Sequence, residues 1–354
     1  MLKDFVLPNG VEEIDQIVNG FKNYKVVETA LQMGLFDWLH QKGQAKREEI
    51  VEGCDFNGMF SRSFLQALVD LGLLEQQDDS FKNSQLAESF FVKGSTSYQG
   101  DWFKMFGKSG SQWDNLTDTL KKQKPDNTGF FAGPNDDFLS SLGQRSLRGE
   151  LQGVTQAVAN WDGFKDAHSV MDLGGGHGLY AIALCQANPS ITATVFDKPH
   201  VIDTTKKFIK KYNLEDRISV MSGDICTDSW GQGYDIVLVS HLLYKFRKDL
   251  DSIFEKLSSS LNQGGLLVTN HWFCSPGCGA GPNGIGELDK SLQSFGHPLC
   301  HPEDFKALFG KKGFDVILCK DISSIFGASK LHMAVKNSAA CDGEEQSGGC
   351  GCCC

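Results

Sequence analysis

The chain has 354 residues, of which 40% are hydrophobic, and it carries a formal net charge of -10 at pH 7. That length and apolar content suffice for two compact domains with buried cores. The acidic excess argues against a nucleic-acid partner, while the absence of a long apolar run, and of a signal-peptide pattern at residues 1–20, excludes a membrane partner and favours the cytoplasm.

The N-terminal region is predicted to be mostly helical. Apolar residues recur at helical spacing over residues 11–40, and Gly34 and Gly43 interrupt the pattern. Two shorter helices and a hairpin are predicted to follow, over residues 47–51, 61–71 and 76–81. The second short helix carries one basic residue, Arg62, and the hairpin is acidic, so this region is unsuited to DNA. We expect it to serve dimerisation instead.

Aromatic residues are concentrated in the segment that follows. They are Trp102, Phe103, Phe106, Trp113, Phe130, Phe131 and Phe138. One interpretation is that these side chains only pack two domains together, and another is that some of them roof a small-molecule pocket. A long helix over residues 136–160 is predicted to link this segment to the C-terminal half.

The C-terminal half alternates buried strands with helices. Strands are predicted at residues 170–173, 191–196, 218–221, 235–240 and 265–270, and helices at 180–187, 201–212, 250–261 and 305–309. Two last strands, at residues 314–320 and 330–336, are predicted to pair as a hairpin at one edge. This alternation predicts an α/β fold, in which helices cover both faces of a mainly parallel sheet.

A glycine cluster follows the first of these strands. Asp172 precedes Gly174, Gly176 and Gly178, a G-x-G-x-G pattern that lets backbone N–H groups approach a ligand. Leu179 stands where a dinucleotide-binding fingerprint needs its last glycine, which disfavours nicotinamide and flavin cofactors. No phosphate-binding G-K-[ST] follows, which disfavours nucleoside triphosphates.

Two further acids follow the next strands. Asp197 ends the second strand, where a carboxylate can accept hydrogen bonds from both ribose hydroxyls of a nucleoside. Asp224 follows the third strand, in a position to meet an adenine amino group. A glycine turn can also serve packing alone, but the series of glycines and acids favours an adenosyl ligand.

These residues carry a resemblance to a known family. The segments M-D-L-G-G-G-H-G at residues 171–178, F-D-K-P-H at 196–200 and G-D-I at 223–225 stand where class I S-adenosylmethionine (SAM)-dependent methyltransferases have their motifs. Residues 30–37 and 68–75 resemble parts of the N-terminal module of the dimeric small-molecule O-methyltransferases, the acetylserotonin and plant phenolic type. The resemblance spans about residues 12–336.

The resemblance implies a fold, a cofactor and an assembly. It implies a Rossmann-like, seven-stranded methyltransferase domain preceded by a mostly helical winged-helix dimerisation domain. We expect the dimerisation domain at residues 1–100, a helical linker and pocket roof at 101–161, the SAM-binding domain at 162–337 and a flexible Cys-rich tail at 338–354. SAM is the expected cofactor, a small molecule the expected methyl acceptor, and a homodimer the expected assembly.

The expected cofactor site combines the glycine turn with residues at the ends of neighbouring strands. Its members are Asp172, Gly174, Gly176, Gly178, Asp197, Gly223, Asp224 and Ser240. Asp172 is expected to hydrogen-bond near the methionine end of SAM, while Asp197 and Asp224 hold its ribose and adenine.

The general base of the family is replaced in this chain. Transfer to an oxygen of high pKa needs a base, and in the similar O-methyltransferases this is a histidine just after the fourth strand. Tyr244 occupies that position, and Leu299 falls near the position of the glutamate that orients the histidine. Three alternatives follow: Tyr244 or His241 replaces the base, the acceptor is a thiol, selenol or metalloid that needs none, or the protein binds SAM without transferring its methyl group.

The chain contains 12 cysteines, and a cytoplasmic protein is not expected to join them in a disulfide framework. Cys274 and Cys278 follow the fifth strand with C-x3-C spacing, and Cys300 comes from another loop near the same sheet edge. The chain ends with Cys350, Cys352, Cys353 and Cys354. Because thiolates select soft metals and metalloids, these four are expected to bind a thiophilic ion, in a catalytic or a sensor protein. The scattered cysteines either contribute to such a site or are incidental.

Overall fold

A computed structural model describes residues 9–109, 111–121, 136–275, 279, 281, 283–294, 296, 298–324 and 327–337. The chain divides into two compact units, Met1–Pro125 and Asp126–Cys354. Several residues with predicted roles lie outside the described residues, namely Phe130, Phe131, Cys278, Cys350, Cys352, Cys353 and Cys354.

The N-terminal unit is mostly helical, as its apolar spacing predicts. Its described helices are α1 (Val11–Gln32), α2 (Leu35–Lys42), α3 (Arg47–Gly53), α4 (Gly58–Asp70), α5 (Gln85–Phe90), α6 (Gly100–Met105) and α7 (Leu116–Leu120). Three short strands, β1 (Ala45–Lys46), β2 (Leu74–Gln77) and β3 (Ser80–Asn83), form an antiparallel sheet in the order β1-β3-β2.

The first helix of this unit ends because of a glycine. Gly34 has a φ of 71°, a left-handed conformation that favours glycine, and it separates α1 from α2. The second half of α1 contributes buried residues such as Leu31 to the core of this unit, whereas Ile14, Ile17 and Phe21 in its first half are exposed. An exposed apolar face of this kind is typical of a partner surface.

The C-terminal unit contains the larger sheet. Its described helices are α8 (Asp136–Ser146), α9 (Glu150–Ala159), α10 (Leu179–Ala187), α11 (Pro199–Lys211), α12 (Leu250–Ser260), α13 (Gly284–Gln293) and α14 (Pro302–Lys311). Its strands are β4 (Ser169–Leu173), β5 (Thr192–Asp197), β6 (Ile218–Ser222), β7 (Tyr234–Ser240), β8 (Leu261–His271), β9 (Phe314–Ile322) and β10 (Ser329–Lys336).

These strands form one seven-stranded sheet in the order β6-β5-β4-β7-β8-β10-β9. The first five are parallel, while β10 runs antiparallel to both β8 and β9. The predicted α/β fold and its antiparallel edge pair are therefore confirmed. Since parallel strands present their carboxyl ends at one edge, the segments that follow β4, β5, β6, β7 and β8 meet there.

The predicted long helix over residues 136–160 is wrong. The structure has two helices, because Gly149 between them adopts a left-handed φ of 107°. The chain turns at this glycine, and α9 begins at Glu150, whose side chain is buried. This break therefore decides where the Glu150 carboxylate lies. Among the described residues, no helix is both long and apolar enough to cross a membrane.

Candidate active site

The glycine turn between β4 and α10 is built from left-handed residues. Gly174, Gly176 and Gly178 have φ values of 66°, 54° and 70°. A Cβ atom on Gly174 would lie 2.7 Å from the Leu242 side chain, and one on Gly175 would lie 2.6 Å from the Asp172 carboxyl group. The turn therefore requires glycine for its conformation and for its close packing.

Asp197 connects this turn to the end of β5. Its carboxylate accepts the N–H of Gly176 at 2.9 Å and that of Lys198 at 2.7 Å. The carbonyl oxygen of Asp197 accepts the N–H of Gly223 at 3.0 Å. Three of the residues predicted to bind the cofactor, Gly176, Asp197 and Gly223, are therefore linked directly at the carboxyl edge of the sheet.

The other predicted cofactor residues lie around this centre. Asp224 is exposed, and its carboxylate accepts the N–H of Cys226 at 2.8 Å. Ser240 ends β7, with its hydroxyl 3.5 Å from that of Tyr180. Asp172 is 1% exposed, and its carboxyl group accepts the N–H of Ala181 at 3.4 Å. Contacts of these residues with SAM stay predictions.

Burial gives Asp172 an unusual acidity. Loss of solvent raises its pKa to about 7, and the nearby charge of Asp197 acts in the same direction. Because the pKa is higher in the folded than in the unfolded chain, the folded state holds this proton more tightly. The resulting stabilisation is fully present below the ordinary pKa of an aspartate and is lost as pH rises towards 7.

Replacement of Asp172 by asparagine is expected to remove that pH dependence. We compare the free energy of unfolding of the original protein with that of Asp172→Asn. This difference should fall by up to roughly 4 kcal/mol between about pH 4 and pH 7, or 1.36 kcal/mol per pKa unit. Urea unfolding of both proteins at several pH values measures the difference. A difference that stays constant with pH would show that Asp172 does not titrate in this range.

A second group of polar side chains lies just after β7. His241 has a left-handed φ of 50°, and its N–H donates to the carbonyl oxygen of Asn270 at 2.9 Å. One ring nitrogen, Nε2, contacts a carboxylate oxygen of Glu150, and the other, Nδ1, lies 2.8 Å from the hydroxyl of Tyr244. The Tyr244 hydroxyl also accepts the N–H of Trp272 at 2.6 Å. The imidazole is thereby held on both sides.

Glu150 is buried, and several hydrogen-bond donors contact its carboxylate. Asn270 donates to its carboxylate at 2.5 Å and Ser329 at 3.3 Å, on the same oxygen that contacts His241. Burial alone would raise the pKa of Glu150, but His241, the positive charge of Arg145 and the Asn270 amide outweigh it and lower the pKa. Glu150 is therefore ionised. Since a carboxylate only accepts hydrogen bonds, His241 Nε2 carries the proton that faces Glu150.

Tyr244 is a different kind of residue from His241. It is 2% exposed, and burial raises its pKa well above the usual range of a tyrosine. Its hydroxyl is therefore protonated at neutral pH and has the roles of donor to His241 Nδ1 and acceptor from Trp272.

The sequence interpretation missed Glu150 and Asn270. It placed the family's glutamate near Leu299, which is buried and forms an isolated parallel bridge with Phe273. Glu150 lies 91 residues before His241, and a glutamate in the first turn of a helix is common for other reasons. No signal in the sequence distinguishes Glu150 from other glutamates at helix starts. Among the described residues, no group of three or more His, Cys, Asp or Glu side chains is arranged to hold a metal ion.

Comparisons with known proteins agree with this geometry. The family model of the O-methyltransferase domain matches residues 113–315, and that of the O-methyltransferase dimerisation domain matches residues 15–93. An uncharacterized protein of Methanocaldococcus jannaschii is 31% identical over 267 residues, covering 73% of this chain and 69% of the other. The tetracenomycin polyketide synthesis 8-O-methyl transferase TcmO of Streptomyces glaucescens is 28% identical, covering 73% of this chain and 78% of the other.

A solved structure shows the same fold. The human N-acetylserotonin methyltransferase in complex with SAM superimposes with a TM-score of 0.75, covering 96% of this chain and 100% of the other at 19% identity.

Proposed function

Because this chain belongs to the O-methyltransferase family and is a SAM-dependent methyltransferase, we propose that it methylates a small molecule whose accepting atom loses a proton to His241. One observation carries this proposal: the His241 ring is held between the buried Glu150 carboxylate and Tyr244 at the end of β7. That end lies on the same sheet edge as the glycine turn and Asp197.

The glycine turn fits the expected cofactor. A Cβ on Gly176 would have only the Leu139 side chain within 4 Å, at 3.5 Å, so the protein itself does not fill the space beside this glycine. SAM, when bound, supplies a methyl group on a positively charged sulfur that an acceptor can displace in line. We assign Asp172, Gly174, Gly176, Gly178, Asp197, Gly223, Asp224 and Ser240 to its binding.

His241 is assigned the role of general base. The proton leaving the acceptor is taken up at Nδ1, which exchanges its hydrogen bond with the Tyr244 hydroxyl for one with the acceptor, while the Nε2 proton remains hydrogen-bonded to Glu150. The Glu150 carboxylate stabilises the resulting imidazolium, so Glu150 is a positioning residue that acts through His241. This arrangement suits a hydroxyl acceptor of high pKa, which is a poor nucleophile until it is deprotonated.

A methyl-transfer assay tests this function. SAM labelled in its methyl group is incubated with phenols, thiols and arsenite, using the original protein and His241→Asn. We expect label on a phenol and little transfer by the variant. Equal labelling of a thiol or arsenite by both proteins would favour an acceptor that needs no base. The presence of Tyr244 at the position of the family's histidine is consistent with such an acceptor. Tight SAM binding without transfer to any acceptor would favour a sensor.

Tyr244 is expected to be dispensable for chemistry. Tyr244→Phe removes the hydroxyl that accepts the Trp272 N–H, so the protein should lose roughly 1–3 kcal/mol of stability. Its kcat should fall by less than about 100-fold, the lower end of the loss expected for a general base. Tyr234→Phe is a matched control, because Tyr234 lies at the opposite end of β7 and donates to the carbonyl oxygen of Trp230 at 2.9 Å. A larger loss of kcat at Tyr244 would make it the base.

The family's dimerisation domain occupies residues 15–93, which supports a homodimer. We assign the exposed face of α1, with Ile14, Ile17 and Phe21, to the interface between subunits. We also keep the domain limits proposed from the sequence, with a winged-helix dimerisation domain at 1–100, a linker at 101–161 and the SAM-binding domain at 162–337.

Residues 338–354 are proposed to bind a thiophilic metal or metalloid. Removal of everything after Asn337 should leave SAM affinity unchanged and lower the number of arsenite or zinc ions bound per chain, because it removes Cys350, Cys352, Cys353 and Cys354 together with Cys341. Equilibrium dialysis under reducing conditions measures the capacity. Equal capacity in both chains would leave the tail without this role.

A further inference from the structure

The described part of the chain contains a pair of cysteines outside the methyl-transfer site. Cys274 and Cys300 are half-buried thiols whose Sγ atoms lie 3.7 Å apart. They are brought together by the backbone: the N–H of Cys274 donates to the carbonyl oxygen of Leu299 at 2.8 Å, and the N–H of Leu299 donates to that of Trp272 at 3.0 Å. Two fixed segments therefore present both sulfurs side by side.

The spacing brings both sulfurs within reach of one soft centre. A disulfide requires the sulfurs to approach to about 2.0 Å. Two sulfurs that share one soft centre at about 2.3 Å lie roughly 3.3–3.8 Å apart, depending on the angle between the two bonds. The observed 3.7 Å lies within this range, so side-chain rotation alone places both sulfurs on one centre.

A cationic side chain lies next to the pair. Burial lowers the pKa of Arg247, and the nearby Cys300 and Cys274 act in the opposite direction. Arg247 also donates to the carbonyl oxygen of Tyr244 at 2.8 Å and to that of Ser294 at 2.6 Å. The pair therefore borders the segment that holds His241.

We infer that Cys274 and Cys300 form a binding site for a soft Lewis acid that two thiolates satisfy, such as a trivalent organoarsenical. With an arsenoxide, two As–S bonds form and the arsenic–oxygen bond breaks. The oxygen leaves as water with the two thiol protons, so neither arsenic nor sulfur changes its oxidation state. This site uses none of the tail cysteines and does not depend on the identity of the methyl acceptor.

Phenylarsine oxide is the probe for this site. The full chain, with its four tail cysteines changed to serine, is titrated under a non-thiol reductant, and the adduct is followed by intact mass. We expect one tight adduct per chain, weakened about 100-fold or more in Cys274→Ser and in Cys300→Ser, because a single thiol loses the second, intramolecular bond. Cys319→Ser, which removes an exposed cysteine on β9, is the matched control.

Two further measurements keep the outcome decisive. SAM binding, measured by calorimetry, shows that each variant is folded. Peptide mapping of the adduct in the protein that keeps both Cys274 and Cys300 identifies the modified residues. The inference is overturned if either serine variant keeps the tight adduct, if Cys319→Ser loses it, or if the mapped adduct lies on other cysteines.

Discussion

His241→Asn is expected to lower kcat by about 100- to 10,000-fold, the range typical of a general base. Asparagine cannot accept a proton, although its side chain can still donate a hydrogen bond towards Glu150. Steady-state kinetics, with the acceptor found by the labelling assay, measure the effect.

His168→Asn controls for the substitution itself. His168 is exposed and precedes β4 at the opposite edge of the sheet, so the same change there should leave kcat unaltered. SAM affinity should be similar in both variants. A His241→Asn enzyme with kcat within about 5-fold of the original would remove His241 from the chemistry.

Gly176→Val is expected to weaken SAM binding by at least about 100-fold, which corresponds to roughly 2.7 kcal/mol. Gly176 has a φ of 54°, and its N–H is held by Asp197 at the point where the backbone is proposed to approach the cofactor. A Cβ there would lie 3.5 Å from the Leu139 side chain, an ordinary contact, so the branched side chain would act mainly by excluding the ligand. Isothermal titration calorimetry measures the affinity.

Gly264→Val separates ligand exclusion from backbone strain. Gly264 has a φ of 74°, and a Cβ there meets nothing within 4 Å. Valine is strained in the left-handed region at both positions, so both variants should lose stability, but only Gly176→Val should lose SAM binding. Unchanged affinity in a folded Gly176→Val protein would remove the glycine turn from the cofactor site.

The sequence determined the features that depend on neighbouring residues. Alternation of apolar strands with helices predicted the parallel sheet, because strand periodicity and short connections are local properties. The acids and glycines at strand ends, such as Asp197 and Gly176, could be placed at one sheet edge because parallel strands end together. The helix break at Gly149 was not predicted, since a single glycine inside an apolar pattern is often tolerated.

Contacts between side chains that are distant in sequence depend on how the whole chain packs. Glu150 contacts His241 across 91 residues and accepts from Ser329 across 179, and Cys274 lies beside Cys300 through a bridge between two loops. The sequence left His241 and Tyr244 as alternatives because both follow the same strand. Burial separates them in the fold: it keeps the Tyr244 hydroxyl protonated, while the ionised Glu150 accepts a hydrogen bond from His241 Nε2. Such contacts arise from the packing of helices and strands against each other, which no local pattern of residues specifies.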